Sequence, residues 1–180
     1  MTTETRGNGN HHAAGTGVAS YLTTPQFHAG KLPVTELMTT DVVSVPQNVG
    51  VREFVKVMLE QDLHRMPVVD DDGKLVGIIS RSDLMAHGIA LDEAYEPRTV
   101  PISPGLLPGG MRAQVRNLDT ATAQDVMSPA LALEPTATVA QAAELMVLQH
   151  VHGLPIVSKE RRVVGWVSAL DVLGWVAGLV

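Results

Sequence analysis

Cysteine is absent from the 180 residues, which excludes disulfides, thiolate metal sites and thiol nucleophiles together and leaves the redox compartment open. Aromatic residues make up only 3% of the chain, so a core must be built from Val, Leu, Ile, Ala and Met. The stacking platforms of single-strand nucleic-acid binders are correspondingly scarce. Basic charge is short as well. With a formal net charge of −6, the chain is not expected to take nucleic acid as its main partner. Residues 1–10 lack the apolar core of a signal peptide, which sets a cytoplasmic expectation. An unbroken apolar run is missing too: residues 163–180 come nearest, but Ser168 and Asp171 interrupt them. That segment reads as a buried strand plus helix and not as a membrane span.

What is present is apolar content of 45%, enough for one compact domain or two small ones, and an internal repeat. Pro67, Gly77, Ser80 and Asp83 recur as Pro155, Gly165, Ser168 and Asp171 at a constant offset of 88 residues. A repeated supersecondary unit organises the reading of everything around it. The expected division is a disordered tail over 1–30, a first unit over 31–88, a connector over 89–122 and a second unit over 123–180. The tail holds His11, His12 and His28 in a Gly- and Thr-rich context, without the fixed geometry a metal site needs.

The first unit opens on Val34-Thr-Glu-Leu-Met-Thr-Thr, followed by the β-branched run Val42-Val-Ser-Val45 and Pro46, a short strand ended by proline. From Val51, apolar residues fall at Val51, Phe54, Val55, Met58 and Leu59, the spacing of a helix with one buried face. Met66-Pro67-Val-Val69 and Lys74-Leu-Val-Gly-Ile-Ile79 read as antiparallel strands joined by Asp70-Asp71-Asp72-Gly73, residues that tolerate the left-handed backbone of a tight turn. That acidic turn lacks the spaced ligands and distal glutamate of a calcium loop. A helix follows from Ser80 to about His87, with Gly88 as its stop. The unit is β-α-β-β-α.

The second unit repeats it. Asp125-Val-Met127-Ser128 leads to a strand over 130–133, then to a helix with Val139, Ala142, Ala143, Met146 and Val147 on one face. Thr138 and Gln141 have capping-box spacing and fix that helix start independently. A hairpin over 152–168 and a final helix from Ala169 toward Val180 complete it. Between the units, six prolines and glycines from Pro101 to Gly110 mark a connector, with one short helical piece expected near Met111 to Val115.

Chemistry points to the two Ser-x-x-Asp ends. Ser80 with Asp83 and Ser168 with Asp171 each follow an apolar strand and open a helix, where N–H groups and the positive end of the helix dipole suit a phosphate. The same spacing also describes an ordinary N-cap with an acid in the first turn. Recurrence in both units, with Gly77 and Gly165 three residues before each serine to permit close approach, favours a binding role beside the capping role. His64 and His152 are equivalents, with His150 nearby, but no carboxylate or cysteine completes a metal site at recognisable spacing.

These residues resemble the CBS-domain family, whose members carry two such units in tandem as a Bateman module. The matching set is Glu36-Leu-Met38-Thr39, Pro46, Leu63-His-Arg-Met-Pro67-Val-Val-Asp70, Gly73-Lys-Leu-Val-Gly77-Ile-Ile-Ser80 and Asp83. Its second half is Asp125-Val-Met127-Ser128, Pro135, Leu154-Pro155-Ile-Val157, Gly165-Trp-Val-Ser168 and Asp171. It spans 32–173 apart from the connector. The resemblance implies an α/β (α+β) fold of two pseudo-symmetric units whose clefts bind AMP, ADP, ATP, NAD or S-adenosylmethionine. It assigns Asp83 and Asp171 to ribose hydroxyls, and Ser80 and Ser168 to phosphate or ribose. It assigns the adenine pocket to the region of Val42 to Val45, Met66 and Pro67, with Leu133, Leu154 and Pro155 in the other half. Arg65 and Arg81 correspond to Gly153 and Ala169, so a charged nucleotide is expected at the cleft using the first set.

The resulting expectation is a non-enzymatic regulatory module that binds an adenine nucleotide, with no cofactor required. No nucleophile-base pair, metal centre or Gly-x-x-x-x-Gly-Lys loop is found. The alternative is a ligand-independent protein-interaction scaffold. The final helix, with Leu170, Val172, Leu173, Trp175, Val176, Leu179 and Val180, is apolar around more of its girth than one core face requires, which points to a homodimer or a regulated protein partner.

Overall fold

The computed structural model describes residues 31–91, 97–99 and 118–179. The tail expected over 1–30 and the helical piece expected near Met111 to Val115 lie outside them.

The first unit contains strand β1 (Val45–Pro46), helix α1 (Val51–Glu60), strands β2 (Arg65–Val69) and β3 (Leu75–Ser80) and helix α2 (Arg81–Ala86). A small hairpin of β4 (Ile89–Leu91) and β5 (Pro97–Thr99) follows. The second unit contains α3 (Ala123–Val126), α4 (Val139–Leu148), β6 (Gly153–Val157), β7 (Val163–Ser168) and α5 (Ala169–Val176). β1 runs parallel to β2, which pairs antiparallel with β3. β6 and β7 pair antiparallel, and Leu133 joins β6 by a parallel bridge to Ile156.

The expected elements form for the expected reasons. On α1, Val51, Phe54, Val55 and Met58 are buried together, the single face their spacing requires. On α4, Thr138 and Gln141 make the reciprocal cap: Thr138 N–H donates to Gln141 Oε1 (2.9 Å) and Gln141 N–H to Thr138 Oγ1 (3.2 Å). In the first hairpin turn, Asp70 Oδ1 accepts from the N–H groups of Asp72 (3.0 Å) and Lys74 (2.8 Å), and Gly73 takes φ +76°, the left-handed backbone glycine adopts without strain.

Several expectations need correction. The strand expected over Val42 to Val45 is confined to Val45–Pro46, and that over 130–133 reduces to the bridge at Leu133. Val147, in the third and last turn of α4, is exposed and lies outside the second core. The final helix ends at Val176. The connector contains the β4–β5 hairpin, and Ile89 at its start is buried in the first core.

The leading segment of each unit packs on the other unit. Ala123 and Val126 are buried with Phe54, Met58 and Met66 in the first core, and Val34 is buried with Met146, Leu154 and Ile156 in the second. Backbone pairing follows the same exchange. Ser128 and Ile78 trade N–H···O bonds of 2.8 and 2.9 Å, and Thr39 and Trp166 trade two of 2.9 Å. Each hairpin is therefore extended by a stretch from the opposite half, so unpaired groups on the outer strands find partners.

This exchange also explains the two repeated glycines. A Cβ on Gly77 would overlap the side chain of Met127, and one on Gly165 that of Met38. The close approach they permit is made by a methionine of the opposite unit, not by a ligand.

Candidate functional site

A cleft of about 650 Å³ lies between the units. Its lining joins three stretches: Thr39, Asp41, Val42 and Val43; Asp62 to Arg65 with Pro67; and, from the second unit, His152, Trp166, Ser168, Ala169, Leu170 and Leu173.

Strand alternation decides which side chains reach it. Along β2, Met66 and Val68 enter the core while Arg65 and Pro67 face the cleft, the period-2 pattern of any strand. Met66 and Leu154 are fully buried and Val45 is 5% exposed, so these three expected pocket residues are core residues. Pro67 lines the cleft as expected. Leu133 packs on the second core and borders a separate groove beside α4. Pro155 is buried opposite Trp166 in the β6–β7 register, outside the cleft lining.

Both Ser-x-x-Asp ends are complete capping boxes. Ser168 donates to Asp171 Oδ2 from its N–H (2.7 Å) and its Oγ (2.6 Å), and the Asp171 N–H returns to Ser168 Oγ at 3.2 Å. The Ala169 N–H is bonded to the His152 carbonyl at 2.9 Å. The first turn of α5 thus has fewer free donors than its sequence suggested, and its pull on an anion comes from the dipole with neighbouring charge.

The equivalent box at Ser80 differs in one respect. Asp83 Oδ2 accepts from Ser80 N–H (2.9 Å) and Oγ (2.5 Å), while Asp83 Oδ1 accepts from Ser128 Oγ. Asp83 is buried with both oxygens engaged. Asp171 is only half-buried, and among the described residues its Oδ1 accepts no hydrogen bond.

The arginines separate likewise. Arg81 donates to Asp62 Oδ1 (3.0 Å) and to the Leu63 carbonyl (3.2 Å). Arg65 is half-buried in the cleft wall, and its Nη2 lies 3.5 Å from His152 Nδ1. Among the described residues it makes no ion pair within 4.0 Å. Burial pulls its guanidinium below the ordinary arginine value, and the Asp83 carboxylate opposes that pull. Arg65 is the register partner of Ser80 and feels the Asp83 charge, as expected, and it also lines the cleft that contains Ser168.

Sequence reasoning missed Asp41, Asp62 and Trp166. The signal for Trp166 was its shared parity with Ser168 on β7. Its indole Nε1 would stand 2.8 Å from a Cβ on Gly153, so the ring lies over a residue without a side chain. Arg65 occupies the position equivalent to that glycine, which makes the two halves of the structure unequal.

A family profile described as CBS domain matches residues 34–89 and 123–178. The chain belongs to the CBS-domain family. Among curated relatives of this CBS pair, a CBS domain-containing protein of Dictyostelium discoideum is 28% identical over 144 residues, 79% of this chain and 90% of that protein. A homoserine O-acetyltransferase of Methanohalobium evestigatum is 25% identical over 139 residues, 77% of this chain but 23% of that protein. Among solved structures, the CBS domain pair of protein MJ0100, in complex with 5′-methylthioadenosine and S-adenosyl-L-methionine, superposes with a TM-score of 0.57 at 21% identity, covering 79% of this chain and 98% of that one. CBSX2 in complex with AMP gives 0.60 at 19% identity, covering 82% and 98%. At these identities the structural likeness establishes the fold, an α+β pair of tandem CBS units. Among the described residues no helix is long and apolar enough to cross a membrane.

Proposed function

We propose that this CBS pair is a non-catalytic regulatory module that binds an adenosine-containing ligand in the cleft at Ser168 and passes occupancy to a dimer partner or a regulated protein. The observation that carries this reading is Arg65, a half-buried cation in the cleft wall that makes no ion pair within 4.0 Å among the described residues. Desolvating a charge is costly unless an opposite charge meets it, and a phosphate or carboxylate seated before α5 would do so. Val42, Val43, Pro67 and Trp166 offer an apolar wall for a base, and the open oxygen of Asp171 suits a ribose hydroxyl. The adenosine ligands of MJ0100 and CBSX2 support the same chemical class. Such ligands are made inside cells, consistent with a cytoplasmic module.

Helix α5 connects the ligand to a partner. It begins at the cleft, while Leu170 and Leu173, on the same helix, are 77% and 59% exposed. Together with exposed Val147, Leu148 and Leu179, they form apolar surface of the kind a homodimer covers. A ligand that favours one setting of α5 shifts the partner by its differential affinity for the two settings.

Isothermal titration of ligand-free protein with AMP, 5′-methylthioadenosine and S-adenosylmethionine tests the reading. Binding to at least one is expected, weakened about tenfold or more by Arg65→Ala for AMP. Absence of binding to all three would leave the scaffold reading in its place.

A further inference from the structure

The cleft contains opposed charges that its sequence did not disclose. Its lining holds one guanidinium, that of Arg65, against the two carboxylates of Asp41 and Asp62, with His64 and His152 beside them. Arg81, the second cation expected to hold phosphate, is bonded to Asp62 at 3.0 Å and to the Leu63 carbonyl. Its charge is already balanced by a residue of the cleft wall.

We infer that Asp41, by its own charge, and Asp62, by holding Arg81, set a charge ceiling on the ligand, so that the cleft takes an adenosine carrying at most one phosphate and disfavours ATP. This rests on the adenosine reading above. Specificity is a difference of affinities, so whatever both ligands share cancels. The base and ribose meet the same Trp166, Val42, Val43 and Ser168 in either case. The first phosphate meets Arg65 and the dipole of α5 in either case. What distinguishes ATP is two further phosphoryl groups, and these find no second unpaired arginine in the lining, since Arg81 is held by Asp62, and meet the Asp41 carboxylate.

Asp41 and the Asp62 end of the Arg81 pair are exposed, so both effects act through solvent and are screened by salt. A preference of about tenfold for AMP over ATP follows at low ionic strength, and it narrows as salt is raised. The test is isothermal titration of the full chain with AMP and with ATP, free of divalent cations, at about 0.05 M and about 0.5 M salt. Asp41→Asn leaves the Arg81–Asp62 pair intact and is expected to raise ATP affinity about threefold with a smaller change for AMP. Adding Asp62→Asn releases the Arg81 guanidinium from its ion pair and brings the two ligands close to parity. Asp62 has φ +48°, a left-handed conformation that asparagine tolerates, so that variant retains the turn. Measurable binding with ATP as tight as AMP, or a preference unchanged in the double variant, overturns the charge ceiling and leaves the adenosine reading standing. Failure of both nucleotides and of 5′-methylthioadenosine to bind overturns the two together.

Discussion

The side chain of Met127 lies against the bare α-carbon of Gly77, on the opposite unit from the helix that delivers it. Met38 stands in the same relation to Gly165. Each contact seats the leading segment of one unit on the hairpin of the other. Gly77→Ala is expected to destabilise the fold by about 1–3 kcal/mol, the range for overfilling a packed site. Gly165→Ala should cost more, because its Cβ would also stand 3.1 Å from the Thr39 carbonyl, and backbone yields less readily than a methionine. Urea denaturation of the two variants checks the order.

Ser168 and Ser80 cap their helices alike, so replacing either with alanine should cost about 1 kcal/mol of stability. Their effects on ligand should diverge. Ser168 lines the cleft and positions the half-open Asp171, whereas Ser80 supports a carboxylate whose other oxygen is held by Ser128. Ser168→Ala is expected to weaken AMP binding several-fold, and Ser80→Ala to leave it near the wild-type value. Equal loss of affinity in both variants, read by titration calorimetry, would move the site to the other set.

Val147 is 72% exposed on α4 and lies outside the cleft lining. Val147→Glu therefore tests assembly without touching the ligand. Sedimentation at micromolar concentration should show a dimer for the wild type and a shift toward monomer for the variant. Thermal stability of the isolated protomer should change by no more than about 0.5 kcal/mol, as for other exposed positions.

The Asp72 carboxylate is held below its ordinary range by a hydrogen bond from Lys74 Nζ (3.0 Å) and by that ammonium's charge. A depressed carboxylate value in the folded state means that the contribution is present above the unfolded value and is lost as pH falls through the lower folded one. The pair is exposed and its contribution small. Carboxyl-detected NMR titration should place the Asp72 midpoint lower in the wild type than in Lys74→Ala.

Much of the fold was legible because its determinants are local. The face of α1, the Thr138–Gln141 cap and the Asp70–Gly73 turn each depend on neighbours within a few residues. What escaped depends on contacts between distant parts. Nothing near Val34 or Ala123 reveals that each packs on the other unit's core, since burial looks the same in sequence whichever core receives it. At the site, Arg65, Ser168 and Pro67 were readable from the repeat. Met66, Val45 and Leu154 were misplaced because a stretch was assigned to the pocket as a whole, although a strand sends alternate side chains to opposite faces. Asp41 and Asp62 carry no motif and acquire meaning only from the charge they stand beside.

Residues 40–44 run from Thr39, bonded to Trp166 of the second hairpin, to Val45, paired with Val68 of the first. They behave as a guy-rope whose two anchors belong to different masts. Anything that presses on Val42 or Val43 loads both anchors at once. A displacement of Val42 or Val43 is therefore shared between the two halves, since the segment that bears them is held at Thr39 by one hairpin and at Val45 by the other.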